Sequence, residues 1–242
     1  MKIARRDSLK LMAMAAQTRT TLDAAPAPHL RLIVLDTGGT IIADQGDVPD
    51  ALESAFAKHG VKVSPAEIAQ WRGASKREIV RHFAGDQLTE AIYADFNGRL
   101  MEAYKKVPPI DGAEAAFQKM RAAGLLLAVN TGFDRQVASS IFQRLGWEKY
   151  FAAVVTSDDV TLGRPAPYLI FHAMERARVE NVAEVMAVGD TPLDLRAGAN
   201  AAVRGIVGVL SGASTQERLE PEPHTDLLKS VAELPALISA KY

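Results

Sequence analysis

The feature that most constrains the fold is a set of five short apolar runs that do not alternate with polar residues. They are 30–36 (LRLIVLD), 125–130 (LLLAVN), 152–159 (AAVVTSDD), 184–190 (EVMAVGD) and 204–210 (RGIVGVL). A strand with one face in water alternates apolar and polar side chains; a strand covered on both faces is apolar along its length. The runs therefore predict an α/β fold with a parallel sheet between two layers of helices. The helices fall between the runs. Ala116, Phe117, Met120 and Ala123 recur at helical spacing before Gly124, and Val137, Ile141 and Leu145 do so before Gly146. A glycine there marks a helix end. Ser230 and Glu233 predict a capping box ahead of a short final helix.

Residues 46–107 break this rhythm. They hold no apolar strand and read as four helices. The first runs from Asp50 to Gly60. Ser64-Pro65-Ala66-Glu67 is a capping box with proline at the first helical position and opens the second. Ser75-Lys76-Arg77-Glu78 is a further capping box, opening the third, and Thr89 begins a longer fourth. The stretch KKVPPIDG (105–112) returns to the α/β pattern. The expected division is a leader over 1–28, an α/β core over 29–45 and 108–242, and a helical insert over 46–107.

At 242 residues and 48% apolar, the chain can bury one large core with an insert. Its net charge of −1 gives no general field for nucleic acid or an anionic membrane, so neither is an expected partner. There is no cysteine, which excludes disulfides, thiolate nucleophiles and zinc–thiolate sites. No run approaches the roughly 18 apolar residues of a membrane-spanning helix. The leader carries Arg5-Arg6 and small residues from Ala24 to Ala27, somewhat like a twin-arginine export signal, but its apolar patch, Leu11 to Ala16, has only six residues. An export signal uses about 7–15. The expectation is a disordered or loosely helical leader on a cytoplasmic protein, with periplasmic export as the alternative.

Two of the runs end in aspartate, at Asp36 and Asp190; Asp194 follows four residues after the second, and Asp158-Asp159 close a third run. In open parallel sheets the ligand lies beyond the carboxyl ends of the strands. Carboxylates gathered there repel one another unless a cation joins them. A few hard oxygen donors suit Mg²⁺, which keeps waters and accepts phosphate oxygens. A lone aspartate at a strand end is as readily a helix N-cap; two of them, with Asp194, weigh toward a metal. Asn130-Thr131-Gly132 offers a hydroxyl and backbone amides to an anion, or else an ordinary cap through Thr131 or Asp134. Gly163-Arg164-Pro165 holds a cation between stiff neighbours. It is either a phosphate fork or a surface ion pair.

These pieces, Asp36-Thr37-Gly38-Gly39-Thr40, Asn130-Thr131-Gly132, Gly163-Arg164-Pro165 and Gly189-Asp190-Thr191-Pro192-Leu193-Asp194, resemble in their order the motifs of the haloacid dehalogenase-like hydrolases, over roughly residues 30 to 240. The helical insert resembles that superfamily's small cap. The resemblance implies a Rossmann-like core with a parallel sheet and an all-helical cap inserted after the first strand. It implies an aspartyl-phosphate on Asp36. It implies Mg²⁺ held by Asp36, the Gly38 carbonyl and Asp190, with Asp194 on a metal-bound water or orienting the site. Thr131, Gly132 and Arg164 would hold phosphoryl oxygens. The expected partner is a small-molecule phosphonate or phosphate, and a homodimer is allowed.

Two departures choose a branch. Most phosphatases of the superfamily carry a second aspartate two residues after the nucleophile, where this chain has Gly38; and the usual lysine of the third motif is Arg164. Both resemble the phosphonatase branch, as do the stretches NTGFDRQVASSIFQRLGW (130–147) and DDVTLGRPAPYLI (158–170). That branch cleaves a carbon–phosphorus bond with the help of a cap lysine, which forms a Schiff base with the substrate aldehyde and accepts the electrons. Gly73 and Lys76 resemble its Gly-x-x-Lys segment, so Gly73 is carried over as a substrate contact and Lys76 as the amine. A helix N-terminus and partial burial both disfavour an ammonium at Lys76; the rival reading is a solvated surface lysine. Arg72 and Ile79 stand where a methionine and a proton-transferring histidine are expected. The expected reaction is hydrolysis of phosphonoacetaldehyde or a related 2-oxoethylphosphonate. The alternatives are a phosphomonoesterase of the same superfamily, or a non-catalytic phosphate-ligand binding protein.

Overall fold

The computed structural model describes residues 29–44 and 46–242; the leader lies outside the described residues. Six strands form one parallel sheet: β1 Leu32–Leu35, β2 Leu126–Asn130, β3 Ala153–Val155, β4 Val185–Gly189, β5 Gly205–Val209 and β6 Asp226–Leu228, in the order β3-β2-β1-β4-β5-β6. The chain steps outward from β1 to β2 and β3, then returns to β4 on the other side of β1. That reversal makes the ends of β1 and β4 the switch point where doubly wound sheets bind ligands. Register fixes the level: Leu35 lies opposite both Val129 and Val188, so Asp36, Asn130 and Gly189 emerge together.

The non-alternating pattern has its expected cause. In β1, Ile33 and Leu35 face one core and Leu32 and Val34 the other, and none is exposed. The first core is closed by α5 Ala113–Ala122, α6 Arg135–Leu145 and α10 Leu234–Lys241; the second by α7 Tyr168–Ala177 and α8 Pro192–Asn200. A short α9, Gln216–Leu219, lies before β6.

Between β1 and α5 run α1 Asp47–Lys58, α2 Pro65–Gln70, α3 Lys76–Ala84 and α4 Asp86–Ala103. They pack through Leu52, Phe56, Ile68, Val80, Ile92, Phe96 and Leu100, continuous with the first core. No helix among the described residues is long and apolar enough to cross a membrane.

The local signals held unevenly. The Ser64–Glu67 box forms in full, with Ser64 N donating to Glu67 Oε2 at 2.8 Å and Glu67 N to Ser64 Oγ at 3.3 Å. The other two do not. Ser75 caps α3 without a side-chain bond, and the reciprocal half of the box is lost as well because Glu78 turns away and accepts the Gly163 amide at 3.0 Å. Ser230 accepts from Ala232 N, while Glu233 accepts from Lys229 N, which gives a 3₁₀ turn before α10. The first helix starts at Asp47 because Asp44 Oδ1 accepts the amides of Gly46 and Asp47 at 3.1 and 2.9 Å. The fourth starts at Asp86, just past Gly85 in its left-handed conformation, not at Thr89. Thr156 and Asp159 form a capping box that turns 157–159 into 3₁₀ helix, so β3 stops at Val155. The strand β6 was not expected: it is three half-buried residues at the sheet edge.

Candidate active site

Asp36 leaves the tip of β1 only 6% exposed. Asp190 leaves β4, and its Oδ2 accepts the Ala213 amide at 2.6 Å. Its packing explains the small residues around it. A Cβ on Gly39 (φ +77°) or on Gly212 would overlap the Asp190 carboxylate, so both loops close on it through glycine. Asp194 sits in the first turn of α8. Its Oδ2 accepts Thr191 N at 3.0 Å and Thr191 Oγ1 at 2.5 Å, which is a capping box. The other Asp194 oxygen, Oδ1, accepts from Arg164.

Asp36, Asp190 and Asp194 each offer an oxygen within 4.8 Å of the others, all buried. Arg164, 3% exposed, spans them: Nη2 donates to Asp36 Oδ1 at 2.6 Å and to the Asn130 carbonyl at 3.2 Å, and Nη1 donates to Asp194 Oδ1. The surface ion-pair reading of Arg164 is thereby excluded. Three carboxylates face one guanidinium. Burial, then the charges of Asp194 and Asp36, hold the Asp190 carboxyl well above its usual range; burial also raises Asp194. A divalent cation would relieve this excess, so the donor set fits a metal of the hard, oxygen-preferring kind. Asp158 and Asp159 do not join it. Asp158 accepts the Arg135 amide, and Asp159 pairs with Arg135 and Arg176 and accepts Thr156 N.

Thr131 is buried at the end of β2, its hydroxyl accepting Phe133 N at 3.2 Å. The capping role falls to Asp134, which accepts Val137 N at 2.9 Å. Asp134 also accepts from Tyr93 and Asn97 of α4, which ties the helical segment to this loop. Three buried polar atoms near Asp36, Thr37 Oγ1, Asn130 Oδ1 and Arg164 Nε, have no partner among the described residues. Two of them are donors that an oxyanion would satisfy.

Lys76 is 8% exposed and lines the same cleft as Asp36, Gly38, Thr131, Gly132, Arg164 and Asp190. Its Nζ donates to the Ala74 carbonyl at 3.1 Å and lies 5.1 Å from the Phe133 ring centre. Burial, then Arg164, holds its amine below the ordinary lysine value, against the opposing pull of Asp36, Asp44 and Asp194. The surface-lysine reading is excluded.

The segment 73–78 packs directly on three core loops. A Cβ on Gly73 (φ +91°) would overlap Thr191 Oγ1, and one on Gly132 would lie 2.7 Å from the Ala74 carbonyl oxygen. Lys76 N donates to Gly132 O at 3.4 Å, and Glu78 accepts Gly163 N. Gly73 thus lines the cleft but abuts Thr191 and Leu193. Gly38 is not sterically required: a Cβ there would meet Phe133 at 3.5 Å and Asp44 at 3.9 Å, ordinary contacts. Arg72 lines the cleft and donates to the Ala213 carbonyl at 3.4 Å, and Ile79 lines it as a buried apolar residue. Sequence reasoning missed Asp44, Phe133, Glu78 and the Ala213 amide. Only Phe133, beside Thr131-Gly132, carried a positional signal.

A doubly wound parallel sheet with buried carboxylates at its switch point, a guanidinium across them and a helical segment over them defines a metal-competent α/β enzyme. Residues 33–207 match the model of the haloacid dehalogenase-like hydrolases, and the chain belongs to that family. It is similar to the phosphonoacetaldehyde hydrolase of Lysinibacillus sphaericus, 29% identical over 82% of this chain and 72% of that protein. A second relative, the phosphoglycolate phosphatase of Psychrobacter arcticus, is 25% identical over 71% of this chain and 80% of that one. Among solved structures, a phosphonoacetaldehyde hydrolase-like protein from Oleispira antarctica superposes with a TM-score of 0.77 at 22% identity, covering 88% and 93% of the two chains. It supports the fold.

Proposed function

We propose that this chain hydrolyses the carbon–phosphorus bond of a 2-oxoethylphosphonate such as phosphonoacetaldehyde. The observation that carries the reading is the pairing of two facts. A buried lysine with a depressed amine shares the cleft with Asp36, and the position two residues after Asp36, Gly38, has no carboxylate.

The Lys76 amine adds to the carbonyl carbon and water leaves, giving an iminium. An Asp36 oxygen attacks phosphorus in line. The C–P bond breaks; its electron pair forms a C=C bond while the π pair of C=N⁺ moves onto nitrogen, giving an enamine. Water then attacks the aspartyl-phosphate, the P–O bond to Asp36 breaks, and inorganic phosphate leaves. The enamine carbon takes a proton, and a second water hydrolyses the iminium to free the aldehyde and Lys76. Arg164 and the Thr131 hydroxyl would hold phosphoryl oxygens as charge moves. Asp36, Asp190 and Asp194, with the Gly38 carbonyl, would hold Mg²⁺, which when bound screens the charge between nucleophile and phosphonate. Residues 46–107 act as the cap in this reading.

Borohydride reduction in the presence of phosphonoacetaldehyde, followed by peptide mapping, tests it. An adduct on Lys76, with loss of phosphate release in Lys76→Ala, is expected. Intact release in Lys76→Ala sinks the Schiff-base route.

One observation favours a second reading, a phosphomonoesterase. Asp44 lines the cleft, with its Cβ beside the place where a side chain on residue 38 would start, so it can serve as the acid that Gly38 lacks. Faster phosphate release from a simple ester than from phosphonoacetaldehyde, unaffected by Lys76→Ala, would select it.

A further inference from the structure

The segment that carries Lys76 brings a second cation to the cleft. Arg72, two residues past the end of α2 and half-buried, lines it together with Lys76, Asp36 and Asp190. Of the five N–H donors of a guanidinium, few are used. Nη1 reaches the Ala213 carbonyl at 3.4 Å, and Nε is buried without a partner. Among the described residues its hydrogen bond is to that carbonyl, and no carboxylate pairs with it. The acids of the cleft have partners of their own. Asp36 pairs with Arg164, Asp44 Oδ1 holds the amides of Gly46 and Asp47, and Asp190 Oδ2 holds the amide of Ala213. Arg72 is also the one residue that this cleft shares with a neighbouring cavity of about 170 Å³. That volume is about ten times the ~15 Å³ that one water requires, so there is room beside the guanidinium for more than solvent. The acid of that cavity, Glu222, is held by Arg196 through both oxygens, and Arg218 adds a further cation. Neither side of Arg72 supplies it with an anion.

A guanidinium with spare donors and no acid of its own is a receptor for an anion. Its place in the chain decides which part of the substrate it meets. With Asp36 on phosphorus, Arg164 and Thr131 serve the phosphoryl oxygens from the core loops. Arg72 comes instead from the helical segment, four residues before Lys76, and Lys76 is the group that meets the carbonyl. Arg72 therefore belongs to the leaving-group side. A planar carboxylate accepts two parallel N–H bonds from such a fork. The carbonyl carbon can carry that carboxylate without disturbing either the C–P bond or the bond to Lys76.

We infer that Arg72 is a specificity-determining residue that binds a carboxylate on the carbonyl carbon, so that the preferred substrate is a 2-oxo-3-phosphonocarboxylate, with phosphonopyruvate as the simplest case. The inference rests on the reading of Asp36 and Lys76 as the reacting pair. The reaction balances as it does for the aldehyde. Iminium formation at the keto carbon releases one water, and hydrolysis of the aspartyl-phosphate and of the iminium consumes two. Phosphate leaves, and so does a 2-oxo acid with hydrogen in the place of phosphorus.

The test is phosphate release by the full chain with Mg²⁺ from two series. One is phosphonoacetaldehyde, 2-oxopropylphosphonate and phosphonopyruvate, whose carbonyl carbon bears hydrogen, methyl or carboxylate. The other is ethyl phosphate and phosphoglycolate, esters without and with the carboxylate. Phosphonopyruvate is expected to show the highest kcat/KM of its series. The three ketones and aldehydes differ in intrinsic reactivity, so the deciding quantity is the carboxylate-over-methyl ratio of kcat/KM compared between parent and variant. Arg72→Met is expected to cut that ratio about 10- to 150-fold, the fold-change that corresponds to ~1.5–3 kcal/mol for a hydrogen bond to a charged group. The loss should fall mainly on KM, and Arg72→Lys should recover part of it. The preference of the unsubstituted chain stands as the test if the variants do not fold. Phosphonoacetaldehyde or 2-oxopropylphosphonate as the best member, or a ratio unchanged in Arg72→Met, overturns the inference while leaving carbon–phosphorus hydrolysis intact. No release from any oxophosphonate, with phosphoglycolate favoured over ethyl phosphate in the parent and not in Arg72→Met, keeps the carboxylate contact and overturns the Schiff-base reading. No release from either series overturns both.

Discussion

Replacing Asp190 by asparagine is expected to stabilise the metal-free protein and to remove its gain from Mg²⁺. Asp190 is 1% exposed, and its carboxylate shares a 4.8 Å cluster with those of Asp36 and Asp194. Two like charges at that separation repel by about 3.5 kcal/mol at an effective dielectric constant of ~20. Asp190 feels two such neighbours and one opposing guanidinium, so the net repulsion is about that of a single like charge. Proton uptake caps the cost, because the site can protonate instead of bearing it. Asparagine keeps an oxygen for the Ala213 amide and presents its NH₂ to the Thr40 hydroxyl, which now donates to Asp190 at 3.4 Å. No buried group is orphaned. The expected gain is therefore about 1–3 kcal/mol, which for a chain of this size is a rise in Tm of roughly 2–4 °C per kcal/mol. The folded-state carboxyl of Asp190 is raised above its ordinary value of 3.8 by burial, Asp194 and Asp36. Its contribution is full below that value and is lost as pH rises through the raised one, so the advantage of the variant should open upward from about pH 4. The assay is urea unfolding followed by circular dichroism, in EDTA and in Mg²⁺, across that range. The parent protein gains RT ln(1 + [Mg²⁺]/Kd), about 2.7 kcal/mol at a hundredfold excess over Kd, and the variant gains little. A variant less stable than the parent in EDTA with an unchanged urea slope would refute the reasoning, as would a parent protein indifferent to Mg²⁺.

Three further outcomes follow from single contacts. Gly132→Ala would put a methyl 2.7 Å from the Ala74 carbonyl oxygen and 3.4 Å from Lys76 Nζ; phosphate release should fall at least about tenfold, the scale on which small misplacements of positioned groups act, and the unfolding midpoint should fall as well, because the backbone at Ala74 must move to admit the methyl. Ser64→Ala breaks both halves of the capping box on α2 and should cost about 1 kcal/mol in chemical denaturation without changing kcat. Asp159 is pushed up by burial but pulled down further by Arg176 and by the Thr156 amide and hydroxyl, to about 2. Its stabilisation is complete above the ordinary value of 3.8 and is lost as pH falls toward about 2. Asp159→Asn should therefore flatten that stretch of the acid limb in urea midpoints measured against pH.

What was legible in the sequence divides along a physical line. The strands could be read because burial on both faces leaves an unbroken apolar run, as in β1. The edge strand β6 could not, because three half-buried residues leave no pattern. The strand-end aspartates and Arg164 could be placed because a parallel sheet brings its carboxyl ends together, and the switch point follows from the order of strands. The capping boxes are instructive in another way. The same Ser-x-x-Glu spacing occurs at 64, 75 and 230, yet only the first closes. The spacing states a local option, and at Glu78 a partner 85 residues away, the Gly163 amide, takes the carboxylate instead. Asp44 and the Ala213 amide were hidden for the same reason: one is an irregular loop residue and the other a backbone group with no side-chain signature.

The small residues of the site carry a consequence that the charged ones do not. Segment 73–78 meets the core at Gly132, Gly163 and Thr191, through contacts in which a side chain on Gly73 or Gly132 would not fit. Each of those core residues adjoins a chemical group: Thr131, Arg164 and Asp190. Lys76 lies inside the segment, and the first cause of its depressed amine is its burial there. Seating the segment therefore does two things at once: it closes the cleft over Asp36 and it strips water from Lys76, which favours the neutral amine. Lifting it would return Lys76 to water as an ammonium, unable to attack a carbonyl. In the proposed reading, the burial of Lys76 and the cover over the cleft come from the same segment. In that reading a glycine such as Gly73, which adds no functional group, bears on whether Lys76 can act as a nucleophile.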